Sequence, residues 1–118
     1  MTLADFRLQM ESYHREADGE AMSLKDSHLA LDRLHALYRK FDGEERALAD
    51  QVLAEWVLSQ DEKVRFDASA LIDDFAIATA IPALEKLAER LATSAAPGVP
   101  YELRKIIRIK GSLGAQSS

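Results

Sequence analysis

Cysteine is absent from all 118 residues, and that one absence removes disulfides, thiolate metal ligands and thiol nucleophiles together. A small secreted, disulfide-stapled fold is therefore not expected, and reducing, cytoplasmic residence is. Glycine is sparse, with five scattered residues, so no Gly-rich phosphate loop can be assembled, and no Ser-centred nucleophile elbow occurs. Long apolar runs are missing too: nothing approaches the roughly 18 residues a membrane span requires. Asp5 and Arg7 interrupt the apolar residues at the N-terminus, which does not read as the core of a signal peptide. Strand signals are nearly absent. Ile106-Ile107-Arg108-Ile109 is the one exception, and with no second strand to pair with, Leu103, Ile106, Ile107 and Lys110 read better as a helix with a basic opposite face.

What is present is helical periodicity and an uneven acidic charge. A chain of this length predicts one domain that buries roughly two-thirds of the surface its unfolded form exposes. The net charge is −5, but residues 42–74 hold ten acids against Arg46, Lys63 and Arg65, while residues 100–118 hold Arg104, Lys105, Arg108 and Lys110 against Glu102 alone. An acidic middle repels phosphate backbones and attracts basic proteins, so the pattern predicts a protein partner and no nucleic acid. Acids that merely keep a helical surface solvated give the same pattern.

Six helices are predicted, at about residues 2–17, 23–41, 44–58, 62–76, 80–93 and 101–110. Leu3, Phe6, Met10, Tyr13 and Ala17 make the first stripe, with Thr2 or Asp5 near its start; Asp18-Gly19-Glu20 is expected to end it. Leu31, Leu34, Tyr38 and Phe41 share a face of the second, and Asp42-Gly43 is a turn signal. The third is the most apolar, Asp61 can cap the fourth, and Pro82 suits the first turn of the fifth. The fourth carries Val64, Ala68, Leu71, Ile72 and Phe75 on one 3.6-residue face. The expected core is Trp56, Val64, Ala68, Leu71, Phe75, Leu84, Leu87 and Ile107. Residues 1–113 are expected to form a single helical domain, with capping helices over 1–42, a repeat-like part over 44–113 and a flexible tail over 114–118.

The spacing Asp61-x-x-Val64-Arg65-x-x-Ala68-x-x-Leu71 resembles the second helix of a HEAT-type repeat, and Ile81-Pro82-Ala83-Leu84 resembles the first helix of the next. The resemblance implies that Val64, Ala68 and Leu71 face the core and that Arg65 braces neighbouring turns. A period of 39 residues sets Leu103-Arg104 against Val64-Arg65 and Ile107 against Ala68. It implies an all-α fold of about six helices in antiparallel pairs, a short HEAT-like solenoid or bundle. In style the chain is also similar to small bacterial immunity proteins, which neutralise a cognate toxin by binding it.

Chemistry-bearing constellations are few. His28, Asp32 and His35 fall on one ridge of the second helix and could in principle share a divalent metal; the same ridge also reads as a polar border with Asp32 paired locally. Asp73-Asp74 and Asp61-Glu62 are adjacent in sequence, but helical neighbours point about 100° apart and so do not share a site. Phe66 is the informative residue. It lies nearly opposite Ala68, beside Glu62, Ser69, Ala70 and Asp73, with Ile77 continuing its line, which is the pattern of a protein-binding hot spot or of a helix packed on two sides. The expected function is a non-catalytic, cofactor-free protein-binding module, of immunity or antitoxin type, that occludes a basic partner through Glu62, Phe66, Asp67, Asp73, Asp74 and Ile77. A HEAT-type adaptor without a toxin is the alternative, and a small metal-dependent enzyme on the second helix a lower one.

Overall fold

Short polar side chains start three of the helices in a computed structural model that describes residues 2–24 and 28–117. Thr2 Oγ1 accepts from the Asp5 N–H at 3.1 Å and opens α1, Leu3–Leu24. Asp42 and Glu45 exchange reciprocal bonds of 2.8 and 3.0 Å, a capping box that opens α3, Gly43–Trp56. Asp61 accepts from the N–H groups of Lys63 and Val64 at the start of α4, Glu62–Asp74. Between α1 and α3 lies α2, Leu29–Lys40; a 3-10 turn, Ala78–Ala80, leads into α5, Ile81–Ala92, with Pro82 in its first turn; and α6 covers Val99–Ser117. The fold is all-α, with six α-helices and no strand among the described residues. None of these helices is long and apolar enough to cross a membrane.

The chain divides into two compact units, Met1–Val52 and Leu53–Ser118, with the boundary inside α3 and beyond the change of pattern expected at residues 42–44. In the first unit, Phe6, Met10, His14, Ala17 and Ala21 form the buried stripe of α1, which packs on α2 through Ala30, Leu34 and Tyr38. The break expected at Asp18-Gly19-Glu20 does not occur. A helical glycine costs only about 1 kcal/mol relative to alanine, and burial of Ala17 and Ala21 on either side of Gly19 outweighs it. Glu20 also pairs with Arg33 of α2. The expected start of the second helix at Ser23 therefore falls within α1, and residues 25–27 lie outside the described residues. Tyr38 donates to Asp50 Oδ1 at 2.8 Å beneath Arg46, whose guanidinium sits 5.3 Å from the tyrosine ring centroid. Burial and the adjacent carboxylate push the Tyr38 hydroxyl well above the usual tyrosine range, and burial raises the pKa of Asp50.

In the second unit, α6 packs on both α5 and α4. Ala68, Leu71 and Ile72 of α4, Leu84, Leu87 and Leu91 of α5, and Ile106, Ile109 and Leu113 of α6 are buried, together with Trp56 and Val57. Val64 and Phe75, expected in the core, are only half-buried. Ile107 is a correction: it is 51% exposed, and Ile106 takes its place. The reason is phase. Helix α6 begins two residues before Tyr101 and continues past Lys110 through Gly111 and Gly114, so Leu113 joins the stripe and turns it towards Ile106 and Ile109. Ala68 therefore corresponds in burial to Ile106, one residue short of the 39-residue period.

Helix α4 ends in a Schellman arrangement. The Ile77 N–H reaches the Ile72 carbonyl at 3.0 Å, and the Ala76 N–H reaches that of Asp73 at 3.3 Å. Ala76 occupies the left-handed position, φ 52°, which usually belongs to glycine. Ile77, the apolar residue that follows in such a motif, is 4% exposed.

Candidate functional site

Two ion pairs set α4 against α6. Arg65 donates from Nε to Glu102 Oε1 at 2.9 Å and from a terminal nitrogen to Oε2 at 3.3 Å. Its other terminal nitrogen donates to the carbonyls of Ser59, at 3.0 Å, and Gln60, at 3.2 Å. One side chain thus ties α6 to α4 and closes the turn that enters α4. Hydrogen bonding to Glu102 raises the guanidinium's pKa further above its ordinary value, in spite of partial burial. Farther along, Arg108 approaches Asp73 at 3.5 Å. The partners advance together, residue 65 with 102 and 73 with 108, so α4 and α6 run in the same direction.

Along these two helices lies a groove of about 280 Å³ lined by Glu62, Phe66 and Ser69 of α4, by Tyr101, Glu102, Lys105 and Ile106 of α6, and by Gly98. Ser69 donates its hydroxyl to the carbonyls of Arg65, at 2.8 Å, and Phe66, at 3.1 Å, which turns its polar atom back on its own helix. Gly98 has φ 82°, and its carbonyl accepts from Glu102 in the first turn of α6. An L side chain is disfavoured in that conformation. Above the groove the Lys105 amine lies 3.9 Å from the centroid of the Phe66 ring. This is a close cation–π contact, worth roughly 0.5–1 kcal/mol at an exposed site. Burial lowers the pKa of Lys105, and Arg108 adds to the effect.

Phe66 is at the surface, 45% exposed, and not buried in a second core; Tyr101 beside it is 71% exposed. Glu62 and Asp74 are exposed as expected, and Asp73 is half-buried towards Arg108. Asp67 and Ile77 are corrections. Asp67 is fully buried, with both carboxylate oxygens bonded to Lys63 Nζ at 3.0 and 3.2 Å, and the Schellman turn carries Ile77 into the interior. Neither can belong to an exposed contact line with Phe66. Asp61 is engaged in capping α4, and Asp73 is set towards Arg108.

No protein family, curated protein or solved structure matches this chain.

The metal ridge is not assembled. Among the described residues no group of three His, Asp or Glu side chains could hold an ion. His28 stands at the N-terminal cap position of α2, and His35 Nδ1 lies 2.9 Å from the carbonyl of Leu31, one turn back on its own helix. The residues of the groove that sequence reasoning did not place with Phe66 are those of α6. Tyr101 and Lys105 at i and i+4 share a face and were legible as such, but only the folded contact of Lys105 with the Phe66 ring shows that this face adjoins Phe66.

The charges separate with the units. Met1–Val52 carries eleven acids against seven bases, whereas Leu53–Ser118 carries nine against eight. Most of the acidic surplus therefore lies outside the unit that bears Phe66.

Proposed function

We propose that this chain is a non-catalytic protein-binding module that holds its partner on the α4–α6 groove. The observation that carries the reading is Phe66, an aromatic left at the surface beside an exposed tyrosine and held by a lysine. Rigid aromatics in a concave, partly desolvated setting are what interface hot spots are made of. The shared direction of α4 and α6, with the HEAT-like spacing of α4, supports a scaffold role. A photo-crosslinking amino acid at position 66 identifies the partner in cells. Phe66→Ala should then weaken binding of the purified partner by about 2 kcal/mol, roughly 30-fold, while costing less than about 1 kcal/mol of stability. A large stability loss, or unchanged affinity, refutes the assignment.

A second, finer reading is immunity-type neutralisation of a basic toxin domain. The acidic surplus of Met1–Val52, with Asp42 and Glu44 exposed, supports it by favouring encounter with a cationic protein. Co-expression with the product of an adjacent gene tests it: protection from that product's toxicity is expected, and failure to protect or bind rejects it.

A further inference from the structure

The groove has a neighbour. Tyr101 and Lys105 also line a second, more open concavity of about 350 Å³, whose remaining walls are Arg104 and Arg108. One concavity is thus largely apolar and the next cationic, and the two share a wall. Neither Arg104 nor Lys105 has an ion-pair partner among the described residues, and Arg108, with its side chain 62% exposed, only approaches Asp73. Glu102, the one acid of α6, is already engaged by Arg65. An incoming segment therefore meets Arg104 and Lys105, which have no ion-pair partner among the described residues, and beside them the exposed Arg108, held only by Asp73.

We infer that the occupant of this site is an acidic segment of a partner protein, with one leucine or aromatic side chain seated against Phe66, Tyr101 and Ile106 and its carboxylates set on Arg104, Lys105 and Arg108. The inference rests on the binding-module reading and adds the chemistry of the partner. It reverses the sign expected from the sequence, because of the α4 acids counted there Asp67 is buried on Lys63 and Asp73 is set towards Arg108, most of the acidic surplus lies in Met1–Val52, and the acids that line the groove are Glu62 and the engaged Glu102. Half-burial makes the charge on Lys105 costly, and a carboxylate brought to it relieves that cost; the lowered pKa of the free amine is the same effect. A nucleic acid fits less well. Lys105 lies over one face of Phe66, and the groove offers only Phe66 and Tyr101 as aromatics, too few for a run of stacked bases.

The test is selection of random phage-displayed dodecapeptides on the full chain, followed by fluorescence anisotropy of labelled peptides at low and high salt. The Phe66→Ala variant and an Arg104→Glu, Lys105→Glu variant are measured beside the native chain, each checked for folding by circular dichroism. Selected peptides should carry Asp or Glu around a single Leu, Phe or Trp, weaken at least about tenfold in each variant, and weaken with salt. Basic peptides that depend on Phe66 overturn the acidic-segment inference and leave the binding module standing. Failure to select any peptide sensitive to Phe66→Ala overturns both. A single-stranded oligonucleotide bound more tightly than every peptide, and lost on charge reversal, overturns the inference in favour of nucleic acid. Self-association abolished by Phe66→Ala overturns it in favour of a second copy of the chain.

Discussion

Replacing Arg65 with alanine tests whether the groove is a built feature of the second unit. Its side chain is 16% exposed and that of Glu102 21%, so water replaces little of what the pair supplies. The substitution removes two bonds to a carboxylate and two to carbonyls and leaves Glu102 partly buried without its cation. Single hydrogen bonds to charged groups contribute roughly 1.5–3 kcal/mol, and the four bonds of one side chain do not add, so a loss of about 2–3 kcal/mol is expected. At this chain length that corresponds to about 8–12 °C in thermal midpoint. Glu102→Ala should cost less, about 1–2 kcal/mol, because Arg65 keeps the Ser59 and Gln60 carbonyls. The double variant should reveal a coupling of about 1–2 kcal/mol. The assay is urea unfolding followed by Trp56, the single tryptophan, buried and within Leu53–Ser118. Coupling below about 0.3 kcal/mol, within the error of additivity, refutes the bracing role and reduces the pair to an exposed contact.

The remaining predictions concern one strained residue and one titrating group. Ala76→Gly relieves the left-handed backbone at φ 52° on an exposed residue and should stabilise the chain by about 0.5–1 kcal/mol; no change or a loss in the unfolding midpoint contradicts the Schellman assignment. Asp50 has its pKa raised above 3.8, chiefly by burial, so its protonated form is favoured on folding. Its contribution to stability is complete below that value and is lost as pH rises through the higher folded pKa. Asp50→Asn keeps an acceptor for Tyr38 without titrating, so its thermal midpoint relative to the native chain should climb as pH rises through that window; a relative fall reverses the sign of the argument.

Periodicity carried the fold a long way because burial follows it closely wherever a helix is bounded by strong caps. Thr2 and Asp61 act near the starts expected of them, Asp42 of the expected turn caps α3, and the Ala68, Leu71, Ile72 face is buried as its spacing requires. Errors gather where glycine was given too much weight. Gly19 and Gly111 both sit inside helices, because flanking buried residues make continuation favourable, and ignoring Leu113 is what put Ile107 in the core. Ile77 shows the complementary limit. Its place on an extrapolated wheel was the exposed side, but a residue beyond a left-handed cap no longer follows that wheel.

The site was legible in part only, for a reason that also governs its charge. A helical wheel identifies Phe66 as facing away from Ala68, but it cannot show what the next helix brings beside it. The carboxylates of α4 looked like an acidic surface because each was counted alone. Folding spends Asp67 on Lys63, sets Asp73 towards Arg108 and engages Glu102 with Arg65, which leaves Arg104 and Lys105 without ion-pair partners among the described residues. Pairing within α4 and between α4 and α6 therefore removes from this face several of the acids that composition counted. A partner chosen from net charge would be sought among basic proteins, whereas one chosen from the groove would be sought among acidic segments with an apolar anchor, and the charge of the peptides that Phe66 retains decides between them.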